Sequence, residues 1–333
     1  KKVVEQIFEN DKSVDTIIIT KDGSNIVEKL VVDFDHLNLS INTNINGVVF
    51  GSNVIFSSLH NAFNGLRNVK IIDLGYSDTS LVKDFSGAFS NLNKCMINTY
   101  DLDTSNAENM SNLFANNVVE ALYSNAPNCR GNSDYININY FDTRKVTNMS
   151  GMFSGITTTG SSSRERYEEI NAYSVTNVSK MFKDHYLIRK NFIFPEIGLK
   201  NVDNFEEMFK NFGQADNAGY KFDISKIKYK SNNTINVLHM FENLDFGIIN
   251  INGFDTSSFS MNPIYYEDVF KIKCEKLIAK NCDFSGLTSG ITFNNFKVSY
   301  LNDIVNHSII GDIYEYFDEI NQSLWNIWKA LIG

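Results

Sequence analysis

The sequence predicts an α/β repeat solenoid in which each coil is a short strand, a turn and a short helix of about two turns, with a β-rich N-terminal cap and a helical C-terminal tail. Three observations carry this expectation. A Phe recurs at positions 63, 89, 114, 153, 182, 209, 241 and 270, in steps of 26, 25, 39, 29, 27, 32 and 29 residues. A period of about 20 to 50 residues is the signature of stacked repeats, and the longer steps read as insertions. Four residues before each Phe stands an apolar residue or Tyr: Leu59, Phe85, Met110, Met149, Val178, Phe205, Val237 and Tyr266. That spacing puts the pair on one face of a short helix. Two residues after the Phe come Gly65, Asn91, Asn116, Gly155, Asp184, Asn211 and Asn243, interrupted by Ile272 in the last copy. These residue types tolerate a left-handed backbone and read as helix stops.

The core of the stack is therefore expected at Phe63, Phe89, Phe114, Met149, Phe153, Phe182, Phe209, Phe241 and Phe270. Eleven residues before the Phe, three copies carry Asp-Thr, at Asp78, Asp103 and Asp142. Their short oxygen side chains suit a turn or a helix start. The most complete unit is residues 141–153, FDTRKVTNMSGMF. It resembles the repeat of bacterial surface proteins and lipoproteins found in mycoplasmas and Listeria and related to BspA-like leucine-rich repeats. Similar runs stand at residues 103–114 and 175–182, and the resemblance extends over about 240 of the 333 residues. The copies at Phe63 and Phe270 lack the Asn-Met core. The resemblance implies a leucine-rich-repeat-like solenoid on the cell surface or secreted, used for adhesion to a protein or glycan on a host or neighbouring cell.

Residues 1–57 carry no good copy of the repeat but contain β-branched runs at 14–20, 30–34, 37–41 and 48–50. They read as a cap that covers the open edge of the stack, with a separate binding module as the alternative. The solenoid is assigned to 58–299, about eight coils. In 300–333 apolar residues from Leu301 to Leu331 recur at helical spacing, which predicts an amphipathic tail covering the last coil or mediating self-association. A rival to adhesion follows from these ends: a structural scaffold or envelope component that assembles through its caps or C-terminal helix.

Composition narrows the chemistry. A formal charge of −9 argues against a nucleic-acid surface. The four cysteines, Cys95, Cys129, Cys274 and Cys282, have no metal-site spacing, and the sequence contains no Walker, G-x-S-x-G, H-E-x-x-H or G-x-G-x-x-G motif. The expectation is a protein that is not an enzyme and holds no cofactor or metal. No run of about 18 apolar residues exists to span a membrane, and a start at Lys1 without Met suggests a processed or truncated start, with any signal peptide or lipid-bearing cysteine lying ahead of it. Recognition is expected on the exposed side of the strands, through Asn98, Asn137, Asn139, Asn250 and Asn252, and on the inserted loops, through Arg164, Arg166 and Tyr167. The alternative is that these Asn merely solvate the strands.

Overall fold

The computed structural model describes most of residues 46–254, together with the strands Thr16–Ile19, Leu30–Asp33, Ile272–Ile278, Phe293–Asn294 and Lys297–Val298. Among these residues the chain is a β-solenoid in which every strand pairing is parallel, as stacked coils require. One sheet runs Thr16–Ile19, Gly47–Phe50, Ile71–Asp73, Met96–Asn98. A second runs from Glu165–Arg166 through Phe192–Ile193, Lys221–Asp223 and Leu244–Asn250 to Ile272–Ile278 and Phe293–Asn294. Strand Gly47–Phe50, in the segment expected as a cap, pairs with Ile71–Asp73 and so extends the first sheet.

The expected α/β architecture is overturned: the described residues contain no helix. The reason lies in the backbone around each Phe. Positive φ occurs two residues before it and again two residues after it, from Asn61 and Gly65 around Phe63 to His239 and Asn243 around Phe241. A right-handed helix cannot hold a left-handed residue at every fourth position. The segment is instead a run of tight turns, in which the Ala62 amide donates to the Leu59 carbonyl at 3.0 Å and the Leu66 amide to that of Phe63 at 3.3 Å.

The alternate amides point along the solenoid axis. Those of Leu59, Asn61, Phe63 and Gly65 donate to the carbonyls of Asp84, Ser86, Ala88 and Ser90 in the next coil at 3.3, 2.8, 2.8 and 3.0 Å. The same four rungs join each later coil to its successor, ending with Asn211 donating to Glu242 at 2.8 Å. Every second amide thus stitches coils and the others close turns, so the obligatory backbone donors are satisfied without a helix. Apolar residues four apart face the same way in either geometry. The second column of left-handed residues, with Asn61, Gly87, Asn112 and Gly151 two places before the Phe, was the sequence signal that separates the two.

Inside the coils the Phe side chains form one continuous ladder. Successive ring centroids from Phe63 to Phe241 lie 5.6, 5.8, 6.0, 5.4, 5.6 and 5.7 Å apart, all stacked within 19° of parallel. Phe50 and Phe254 close the ladder edge-on at its two ends, at 5.9 and 5.8 Å. Met149 and the other described residues four places before each Phe, from Leu59 to Val237, are buried beside it. Phe270, Tyr266, Cys129, Cys282 and the tail at 300–333 lie outside the described residues.

Candidate functional site

The solenoid presents three outward columns, and each is built by a different local device. The first lies where the strands end. Asp73 pairs with Asn98 across adjacent strands, and the Asn98 amide donates to Asp73 Oδ1 at 3.1 Å. In the second sheet Asp223 pairs with Asn250, whose amide donates to Asp223 Oδ2 at 3.0 Å. Asn250 Oδ1 also accepts the Asn252 amide at 3.1 Å, turning the chain out of the strand. Asn98 is therefore half-buried and Asn250 buried, each engaged with the aspartate of the preceding coil, while Asn252 is half-buried in the turn. Asn137, Asn139, Arg164 and Tyr167 lie outside the described residues, and of Arg166 only the backbone, in strand Glu165–Arg166, is described. Burial opposes ionisation of Asp223, but hydrogen bonds from Lys221, Ser225 and Asn250 together hold its carboxyl below the usual range.

The second column is the Phe pass, which opens with Asp84, Asn109, Asn148, Asn177, Asn204 and Asn236 in bridge register. Each side-chain oxygen accepts the amide two residues on, from Ser86 (2.8 Å) to Leu238 (3.1 Å), so each is a turn former. From Phe63 to Phe153 this face is small and nearly uncharged, with Gly87, Gly151 and Gly155 lying under the side chains of Asn61, Asn112 and Asn116. From Phe182 to Phe241 it becomes an ion-pair lattice. Glu207 meets Lys183 at 2.8 Å and Lys210 at 3.1 Å, and Lys210 reaches Glu242 at 2.6 Å. Burial works against the Glu207 carboxylate, yet the two ammonium groups outweigh it and keep its pKa below the ordinary value.

Two coils break the turn pattern from within. Asn117, 1% exposed, donates its amide to the Phe89 carbonyl and accepts the Leu92 amide, both at 2.8 Å. Buried His185 faces the Phe153 carbonyl through Nδ1 at 3.3 Å. A carbonyl can only accept, so that nitrogen carries the proton in this contact. Sequence reasoning passed over both residues, although they interrupt a column otherwise filled by Leu66, Leu92, Ile156, Phe212 and Leu244.

The third column is a turn rail. Asp78, Asp103 and Asp142 each accept the amide two residues on at 2.9 to 3.1 Å, which makes them turn formers, the first of the two roles, turn or helix start, that their residue types allowed. Behind them buried Thr79 and Thr104 lock coil to coil. The Thr104 hydroxyl donates to the Asp142 carbonyl and accepts the Asp142 amide at 2.7 Å. The two residues at each turn tip face outward: Ser80-Leu81, Ser105-Asn106, Arg144-Lys145, Tyr173-Ser174 and Lys200-Asn201. A side-chain hydrogen bond from one tip to the next runs along the rail, from Asn106 to the Ser80 carbonyl (2.8 Å), Lys145 to Asn106 (2.6 Å), Ser174 to the Arg144 carbonyl (2.6 Å) and Asn201 to the Tyr173 carbonyl. The Arg144 guanidinium grips Asp142 and holds its carboxyl down at about 2.

One Ser-His-Asp constellation occurs among the described residues, and its geometry is wrong for acyl transfer. His60 meets both Ser86 Oγ (2.7 Å) and Asp84 (3.6 Å) through the same Nδ1, while its Nε2 faces the Asn61 amide at 2.8 Å. With Nε2 accepting from that amide, Nδ1 donates to Ser86 and cannot take its proton. No group of three or more His, Cys, Asp or Glu among the described residues could hold a metal, and no described helix is long and apolar enough to cross a membrane.

Three overlapping stretches, residues 57–158, 119–245 and 160–273, match the model of a family described as Mycoplasma protein of unknown function, DUF285. No curated protein and no solved structure matches the chain.

Proposed function

We propose, for a chain that belongs to the DUF285 family of Mycoplasma proteins, that it is a non-enzymatic binding protein displayed on the cell surface, recognising a protein or glycan along its solenoid. A repeat solenoid is compatible with either a binding or a structural role. The observation that favours binding is the turn rail. Its frame repeats, with buried residues such as Thr79, Thr104 and Thr143 on one side of the tips and Val82, Ala107, Val146, Val175 and Val202 on the other. The tips themselves differ in every coil, from Ser80-Leu81 through Arg144-Lys145 to Tyr173-Ser174. A rigid backbone carrying chemically distinct exposed side chains at fixed intervals is what recognition of an extended partner needs. The likeness of residues 141–153 to the BspA-related repeats of bacterial surface proteins and lipoproteins supports display outside the cell.

The test is capture of host surface proteins and of an arrayed glycan set by the intact chain, beside a variant lacking residues 160–164 and an Asn137→Ala/Asn139→Ala variant. This deletion spares Thr157–Thr158, which pairs with Val118–Val119 and is needed by the fold. Selective capture by the parent is expected, and its reduction in either variant places the contact on the inserted loop or the strand side. A parent that retains nothing from either panel would falsify the binding reading and leave assembly as the role.

A further inference from the structure

We propose that the turn rail between Arg144 and Asn201 binds an anionic polysaccharide lying along the solenoid axis, an inference that rests on the binding reading above and names its ligand class. The rail is a cationic strip on a chain of net charge −9. Arg144, Lys145 and Lys200 are all exposed at its tips. Arg144 engages Asp142 through Nε and Nη2, leaving Nη1 uncommitted among the described residues. Lys145 spends one of its three donors on Asn106, and Lys200 has no carboxylate partner among the described residues. Among the described residues, the acids next to these tips in the chain are Asp142, paired with Arg144, and the half-buried Asp203.

Between the two cationic steps sits Tyr173, 53% exposed, its ring lying over Gly198 where a side chain would collide with it. The glycine lets the ring lie close to the coil surface. At about 4.8 Å per coil, the Arg144-Lys145 tip and the Lys200 tip are roughly 10 Å apart, with Tyr173 on the coil between them and its ring reaching the Lys200 coil at Gly198. A sugar ring stacked on Tyr173 would carry acidic groups of its neighbours toward the cations on both sides.

The backbone argues against a peptide. The carbonyls of Ser80, Arg144 and Tyr173 already accept from Asn106, Ser174 and Asn201. An incoming strand would have to share these acceptors with side chains already bound to them, a poorer pairing than at an open sheet edge. Acidic side chains alone would match the charges but leave the aromatic platform without a flat partner.

The experiment is calorimetric titration of the full chain, at low salt, with oligogalacturonate, its methyl-esterified uncharged counterpart and oligoglutamate of equal charge. Oligogalacturonate is expected to bind selectively and to weaken as salt screens the contact. Lys145→Ala/Lys200→Ala and, separately, Tyr173→Ala should each weaken it about tenfold, equivalent to about 1.4 kcal/mol. Lys226→Ala, an exposed lysine off the rail, should leave it unchanged. Oligoglutamate binding as tightly as the glycan and indifferent to Tyr173→Ala would make the rail a peptide site and overturn the proposal. Failure of the parent to bind oligogalacturonate, or rail variants that bind as the parent does, also overturns it. The capture panels remain the separate judge of whether the chain binds anything at all.

Discussion

Asn117 shows how much a single side chain carries in this architecture. It stands in a column of buried apolar residues, yet its amide supplies the partners that the Phe89 carbonyl and the Leu92 amide find within the turn in other coils. Asn117→Leu keeps the number and branching of heavy atoms but strands two buried backbone groups, so urea denaturation should show a loss of about 2 to 4 kcal/mol. A neutral result would mean that the turn closes on itself as it does at Phe63. Gly155 is the opposite case. Its φ of +66° and the Asn116 side chain lying over its α-carbon leave no room for a Cβ, so Gly155→Val should cost about 1 to 3 kcal/mol in the same assay. Asp142 offers a test through pH. Its folded pKa, about 2, lies below the ordinary 3.8, so its pairing contributes stability above the ordinary value and loses it as pH falls through the folded one. Carboxyl NMR titration should place its midpoint near about 2, returning toward the ordinary range in Arg144→Ala; an unchanged midpoint in that variant would remove Arg144 as the cause.

At the scale of one coil, the decisive element is the rung of four interchain-like hydrogen bonds around a stacked Phe. Phe153 sits in the middle of the ladder, 6.0 Å from Phe114 and 5.4 Å from Phe182, and is 1% exposed. Phe153→Ala removes both stacking partners' contact and leaves a cavity, for an expected cost of about 3 to 5 kcal/mol. Because each coil is held by its neighbours, the damage should be local first. Hydrogen exchange should show the amides of Met149, Gly151 and Phe153, which donate to the next coil, losing protection before those around Phe63. Uniform loss along the chain would mean that the solenoid melts as one unit.

Over the whole molecule, the Phe pass divides into two halves with different physics. From Phe63 to Phe153 it is held by hydrogen bonds, packing and the exposed ion pair Lys83–Glu108, whereas from Phe182 to Phe241 it has the partly buried lattice of Lys183, Glu207, Lys210 and Glu242. Salt screens ion pairs, and partly buried ones less than exposed ones. Raising NaCl to about 1 M should therefore lower exchange protection modestly in the coils of Phe209 and Phe241 and less in those of Phe89 and Phe114, whose ion pair Lys83–Glu108 is exposed and contributes little. Acid acts in the same place: with its pKa lowered, Glu207 contributes stability above the usual glutamate value that is lost as pH falls through the folded one. Equal salt sensitivity in both halves would show that the lattice contributes nothing net.

The sequence by itself determined the solenoid and, from Phe63 to Phe241, the register of its coils and the buried Phe column, because a large apolar residue recurring at each turn of a stack can be buried only against its own copies. It also located the Asp turns, since a short oxygen side chain has few other local partners. It did not determine helix against turn: residues four apart share a face in both, and the decision came from the destination of alternate amides, which is a relation between coils. For the same reason the outward role expected of Asn250 gave way to a buried bond with Asp223, a residue 27 positions away. The rail was invisible too. Arg144, Tyr173 and Lys200 are separated in the chain by 29 and 27 residues, and only the stacking of coils about 4.8 Å apart brings their exposed side chains onto one line.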